Sequence, residues 1–288
     1  MARNKLVNWL LFILLALVWG SSFILMKKSA EDLTGQQIAA IRILSAGVLF
    51  LPLAFFHLRH IPGGKLHLVL LSGVMGNLFP AFLFAIAIEQ MDSSLAGILN
   101  SLTPLFVVVI GILFFRDRLH NRKIAGVIIG FIGLLLLTLS KGSITFERFT
   151  PVLMILVATI MYGVNVNIVS HYLKGIEPMK MTSVSLAFVG IPAAVVAWYQ
   201  NVFSIALNEP QAHYAIGASV LLGLVGTGIA TGLFYVLIKR AGGLFASLVT
   251  YAIPFVSIMW GLWAREDITL VQVGCLGVIL SGVYLANR

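Results

Sequence analysis

Few side chains in this sequence can do chemistry, and most of those that can are set at helical spacings. Trp19 with Ser22, and Tyr162 with Asn165, are i, i+3 pairs, so each pair shares one face of a helix. Asn77, Pro80 and Phe84 follow at i, i+3 and i+7, and Asn100 stands one turn ahead of Pro104. Every one of them lies inside a long apolar run. Amide, hydroxyl and indole groups placed there can contact a solute that is part apolar and part polar. The same polar groups can instead hydrogen-bond neighbouring helices, and the aromatic rings can simply fill space. Pro104 and Pro254 each remove an intrahelical donor and free a carbonyl in the preceding turn, which suits either a hinge or a static kink.

Ionisable chemistry is scarce. Arg42 is the one charged residue clearly inside an apolar run, where it can meet a carboxylate, snorkel outward or pair with carbonyls. Glu89, Asp92, His57, His171 and His213 map near the ends of runs. The chain contains no His-Glu-x-x-His metal motif, no Gly-x-Ser-x-Gly elbow and no paired carboxylates at mid-depth, so an intramembrane enzyme lacks its machinery. Cys275 is the single cysteine and can form neither an intramolecular disulfide nor a thiolate metal cluster. No catalytic residue, metal or cofactor is expected.

The elements that must position these residues follow from composition. Hydrophobic residues make up 60% of the 288 and charged residues 10%, far from the proportions of a soluble domain. Ten charge-free intervals, from 6–26 and 43–58 through to 241–264 and 268–287, each approach the length that crosses a bilayer as a helix. Continuous apolar runs without period-2 alternation argue against a β-barrel. Arg3 and Lys5 ahead of the first run resemble a secretory leader, but the run is too long and "VWGSSFILMKK" has no small-x-small cleavage site, so it reads as a retained helix. Short loops add no sizeable extramembrane domain for a signalling or assembly role.

Loop charge sets the expected orientation. With the N-terminus inside, the outer loops hold only Lys27, Lys28, Lys141, Arg148 and Arg265, and all other Lys and Arg except Arg42 are inside. Both termini are therefore expected in the cytoplasm, and the formal charge of +9 is a topology signal rather than a nucleic-acid footprint. Trp9, Trp198 and Trp263 lie near the ends of runs, where headgroup anchoring is expected, while Trp260 lies deeper. Gly126 and Gly130 in "GVIIGFIG" permit close helix approach, for internal packing or for a dimer.

The sequence also repeats itself. At a constant spacing of 150, residues 71–117 align without a gap to residues 221–267, with identities that include Gly73/Gly223, Gly76/Gly226, Phe84/Phe234, Pro104/Pro254 and Asp117/Asp267. "LVWGSSF" in the first run aligns more weakly with "IMYGVNV" in the sixth, matching Trp19 to Tyr162 and Ser22 to Asn165. Five spans per half would place the second copy upside down. The basic loop "RDRLHNRK" after the fourth run against "REDITL" after the ninth agrees with that inversion. The copies are not identical inside: Tyr251 stands opposite Ser101, so a paired site would be lined asymmetrically.

The elements "ALVWGSSFILMKKS", "AAIRIL" and "ILNSLTPLFVVVIGILFFRDRLHNRKIAGVIIGFIGLLLL", the last repeated as "LVTYAIPFVSIMWGLWAREDITLVQVGCLGVILSGVYL", resemble the drug/metabolite transporter superfamily in its EamA-like branch. The resemblance covers practically the whole chain. It implies an all-α integral membrane protein of ten transmembrane helices, arranged as two inverted five-helix repeats at 1–141 and 149–288. It further implies alternating access and export of amino acids or other metabolites. The expected solute contacts are Trp19, Ser22, Asn77, Phe84, Asn100, Tyr162, Asn165 and Tyr251, with hinges at Pro104 and Pro254. With no central carboxylate, facilitated diffusion is expected ahead of the alternative, a proton-coupled multidrug or metabolite antiporter. The expected partners are a small-molecule solute and the lipid bilayer, with no nucleic acid. A monomer is expected, with a homodimer as the alternative, in a cell membrane such as a bacterial inner membrane.

Overall fold

The computed structural model describes residues 2–116, 121–139 and 146–286. The expected basic loop at 116–123 is described only at its two ends, and Asp117 and Lys141 lie outside the described residues. Among the described residues the architecture is all helical: α1 (Ala2–Ser29), α2 (Gly35–Leu58), α3 (Gly63–Glu89), α4 (Ser93–Phe115), α5 (Asn121–Leu139), α6 (Phe146–Tyr172), α7 (Pro178–Tyr199), α8 (Pro210–Ala241), α9 (Gly243–Trp263) and α10 (Leu270–Ala286). A short helix, Val202–Asn208, joins α7 to α8. Eight helices, all but α5 and α10, are long and apolar enough to cross a membrane, and those two carry the shorter apolar runs Ala125–Leu137 and Leu270–Gly282.

Local chemistry sets the helix ends. Thr34 caps α2 with a capping box: its hydroxyl accepts the Gln37 N–H at 3.3 Å, and the Gln37 side chain accepts the Thr34 N–H at 2.9 Å. Thr269 and Gln272 repeat that exchange at the start of α10. Gly242, at φ 90°, lets α8 turn directly into α9. Large apolar side chains such as Phe55, Phe114, Leu207 and Trp263 remain outside the bundle, which suits a lipid-facing surface.

Because lipid removes the hydrophobic drive between helices, close backbone approach and hydrogen bonds hold the bundle together. The two most extensive helix pairs are α2 with α7 and α5 with α10. In the first, a Cβ added to Gly47 would stand 2.7 Å from the Cα of Gly190. In the second, Gly282 lies against the backbone of Gly126 and Gly130, so the "GVIIGFIG" stretch is used inside the chain.

Contacts recur in pairs at the two spacings seen in the sequence. A π-helical turn at Val74–Leu78 in α3 is matched by one at Leu222–Ile229 in α8. Gly73 lies against the Ser185 carbonyl and Gly223 against the Arg42 carbonyl. Gly76 lies against the Asn165 amide and Gly226 against the Ser22 hydroxyl. Gly47 and Gly190, which touch each other, stand at the separation of Trp19 from Tyr162.

One end of the bundle is tied through helix termini. Glu266, beyond α9, accepts from Ser93 N at 2.9 Å, Ser93 Oγ at 2.6 Å and Ser94 N at 2.9 Å, placing a carboxylate on the N-terminus of α4. Lys27 donates to the Ile88 and Met91 carbonyls at 3.2 and 3.1 Å, at the C-terminal end of α3, and Glu89 accepts the Gly35 N–H at the start of α2. The opposite end carries lighter links, Lys65 to the Tyr172 carbonyl at 2.9 Å and Arg240 to Asn8 at 2.9 Å.

Candidate functional site

Inside the bundle α1, α2, α3, α4, α6, α8 and α9 enclose a cavity of about 90 Å³. That holds several waters at about 10–15 Å³ each, or a small solute fragment. Trp19 and Ser22 reach it from α1, and Tyr162 and Asn165 from α6. Asn77 and Phe84 reach it from α3, and Asn100 from α4. The π turn in α3 separates Pro80 from this face: the proline is buried, but it is not on the wall.

Tyr251 is the expected contact that the structure does not bring to the cavity. It packs against the neighbouring apolar core, and Thr250 takes the wall position. Its repeat partner Ser101 is itself off the wall. Leu248 interrupts α9, and the i to i−3 bonds Leu248 N to Phe245 O (3.1 Å) and Tyr251 N to Leu248 O (3.0 Å) tighten the winding there. Thr250 stands 150 residues after Asn100, so the repeat itself carried the signal for it.

Two aromatic pairs flank the space. Trp19 meets Phe234 edge-on with centroids 5.1 Å apart, and Tyr162 stacks on Phe84 at 6.0 Å. These are matched pairs in the repeat, and Phe234 is another wall residue that the spacing of 150 could have supplied from Phe84. The indole N–H of Trp19 donates to the Gly226 carbonyl at 2.8 Å, inside the π stretch of α8.

The polar wall is incompletely satisfied. Thr231 donates to Asn77 Oδ1 at 2.9 Å, while Asn77 Nδ2, Asn165 Oδ1 and the Tyr235 hydroxyl have no hydrogen-bond partner among the described residues, although Tyr235 faces Ser72, Asn77 and Asn165. Buried polar atoms without partners are costly, so such a group is suited to a ligand or water. Thr231 and Tyr235 were not marked by helical spacing; their neighbour Phe234 was the available signal.

Arg42 turns inward. It lines the cavity, donates from Nε to Thr227 Oγ1 at 2.7 Å, and places a terminal nitrogen 3.6 Å from the Met26 sulfur. Of the alternatives open to it, snorkelling outward is not the one adopted. Among the described residues no carboxylate lies within 4.0 Å of it, and Arg42 is the only charged side chain on the wall.

Neither Pro104 nor Pro254 touches the cavity. The helix opening nearest Pro104 is a turn at Ser101–Leu102, and the Asn100 carbonyl freed by the proline accepts the Thr103 hydroxyl at 2.8 Å. Pro254 lies within the continuous stretch Val249–Trp263, beyond the interruption at Leu248. Trp260 donates to Ser21 Oγ at 2.8 Å and so joins α9 to α1.

The EamA-like transporter family matches this chain twice, over residues 7–139 and 149–288. The chain belongs to the EamA-like transporter family. An uncharacterized transporter of Archaeoglobus fulgidus is 26% identical over 98% of this chain and 99% of the relative. The uncharacterized inner membrane transporter YedA of Escherichia coli K12 is 25% identical over 95% of this chain and 88% of the relative. A solved crystal structure superimposes with a TM-score of 0.64 at 19% identity, covering 97% of this chain and 96% of that one, and shares the fold. This EamA-like protein is a multi-span membrane transporter and not an enzyme.

Proposed function

We propose that this transporter carries small amphipathic metabolites, amino acids or related compounds, through the cavity by alternating access, exporting them by facilitated diffusion. The observation that carries the reading is the cavity itself. Matched aromatic and polar residues from α1 and α6, and from α3 and α8, meet around one space inside the bundle. Such an arrangement has two nearly equivalent forms, one open to each side of the membrane. In this reading the chain has ten spans, in inverted five-helix repeats at 1–141 and 149–288, and α5 and α10 are the fifth span of each. The paired π turns and paired glycine contacts support it. Trp19, Ser22, Asn77, Phe84, Asn100, Tyr162 and Asn165 contact the solute. Tyr251 acts from behind the wall, and Pro104 and Pro254 serve as hinges.

Counterflow into proteoliposomes tests the activity. Unlabelled substrates preloaded inside should drive transient accumulation of a labelled amino acid, chemically unchanged. An imposed proton gradient should not sustain uphill accumulation of a zwitterion, because the cavity wall carries no Asp, Glu or His among the described residues. Concentrative uptake driven by protons would point to the antiporter alternative and to a titratable group reaching the pathway.

Orientation is tested separately. In a Cys275→Ser background, His60→Cys and Arg265→Cys occupy opposite ends of the bundle and should react with an impermeant maleimide from opposite faces, His60→Cys from the cytoplasm. Labelling of both from one face contradicts the inverted arrangement.

A further inference from the structure

We infer that Arg42 is the carboxylate anchor of the cavity, and that the transporter selects solutes carrying one small negatively charged group over their neutral or cationic analogues. The inference rests on the cavity being the transport site, and its test separates the two.

Three observations carry it. First, a guanidinium withdrawn from water is normally matched by a carboxylate, and here none of the described carboxylates lies within 4.0 Å. Thr227 occupies Nε, and the Met26 sulfur, a weak acceptor, faces one terminal nitrogen, so the remaining N–H groups at the cavity have no protein acceptor among the described residues. A carboxylate supplies a planar pair of acceptors matched to that fork. Second, the charge balance favours one negative charge. Among the described residues Arg42 is the only charged group on the wall, so it neutralises a carboxylate, whereas a phosphate of charge near −2 would keep an excess charge out of water. Third, the opposite half has no equivalent. The residue that meets Gly73 as Arg42 meets Gly223 is Ser185, fully buried and neutral. A solute therefore enters in one orientation, with its anionic end at Arg42 and Thr227. Asn77 Nδ2, Asn165 Oδ1 and the Tyr235 hydroxyl are left to meet its other polar groups.

An arginine held for a ligand and an arginine held for the fold behave differently on removal. Without a carboxylate partner, neutralising Arg42 relieves a desolvated charge, so Arg42→Gln should melt at or above the temperature of the wild type. A structural arginine would make that variant less stable.

The test measures thermal protection of the purified full-length chain by matched probes at millimolar concentration: 3-phenylpropionate, its primary amide, phenethylamine and L-phenylalanine, with acetate, glutamate and malate completing the carboxylate panel. Protection by 3-phenylpropionate and L-phenylalanine should exceed that by the amide and the amine by about tenfold in half-maximal concentration. Arg42→Gln should lose that preference, and Arg42→Lys should keep part of it. Equal protection by acid and amide, an unchanged acid response in Arg42→Gln, or failure of every carboxylate in the panel to protect the wild type would each overturn the assignment. Should Arg42→Gln not fold, the wild-type preference for acid over amide and the Arg42→Lys response decide. Flux of the same probes in liposomes distinguishes the two claims. Flux of the amine and amide without preference for the acid keeps the transport reading and removes Arg42 from it. Carboxylate protection without flux of any probe does the reverse.

Discussion

Gly47→Leu is expected to abolish recovery of folded protein, and Gly47→Ala to destabilise it clearly. At this point α2 and α7 touch backbone to backbone: a Cβ on Gly47 would lie 2.7 Å from the Cα of Gly190 and 3.1 Å from the Leu186 carbonyl oxygen. Neither neighbour is the movable end of a side chain, so the helices themselves must separate. Separation weakens the most extensive helix pair in the protein, where dispersion contacts rather than hydrophobic transfer hold the helices together. Overpacking of this kind costs about 1–3 kcal/mol even where side chains can yield, and a Leu here should exceed that range. Gly190→Leu should behave alike, since its Cβ would stand 3.1 Å from the Gly47 Cα. Gly274→Ala and Gly277→Ala, whose Cβ atoms would meet nothing within 4 Å among the described residues, are the controls and should melt with the wild type. Size-exclusion profile and melting temperature are the readouts. A well-folded Gly47→Leu would mean that α2 and α7 do not approach as described.

The sequence made some of this protein legible for physical reasons and hid the rest for others. Charge-free runs must be long to cross a bilayer, so most spans could be located from composition alone, and the family relationship could be read from "ILNSLTPLFVVVIG" and its second copy. Helical spacing then brought Trp19, Ser22, Tyr162 and Asn165 to one cavity, because α1 and α6 wind regularly through those positions. Regular spacing misleads where winding changes. The π turn at Val74–Leu78 separates Pro80 from Asn77, and Tyr251, singled out as the repeat partner of Ser101, yields to Thr250 because Ser101 is itself off the wall. The direction of Arg42 depends on a partner 185 residues away, Thr227, and no local pattern contains that information. The better guide was the repeat: carried from Asn100 to Thr250, from Phe84 to Phe234 and from Asn77 to Thr227, it indicates residues that isolated motifs do not.

Trp19→Ala is expected to lower solute flux by about tenfold or more while leaving enough folded protein to measure, and Trp19→Phe separates the two functions of the indole. The ring packs edge-on against Phe234 at 5.1 Å, a pair worth about 0.5–1.5 kcal/mol beyond its buried area. Its N–H bonds the Gly226 carbonyl at 2.8 Å, adding about 0.5–1.5 kcal/mol and fixing the π stretch of α8 against α1. Losing both removes an interaction that orders the cavity wall as well as a surface offered to the solute. Phe at this position keeps an aromatic face towards Phe234 but leaves the Gly226 carbonyl without its donor. Flux through Trp19→Phe should therefore fall by about fivefold, with a melting temperature lower than that of the wild type by about 2–4 °C. Tyr162→Phe is the contrast. Tyr162 stacks on Phe84 with its ring, so its wall contact survives loss of the hydroxyl and flux should change less than in Trp19→Phe. If Trp19→Phe transported at the wild-type rate, the indole would be a packing group only, and the link between α1 and the π stretch would have no part in the transport cycle.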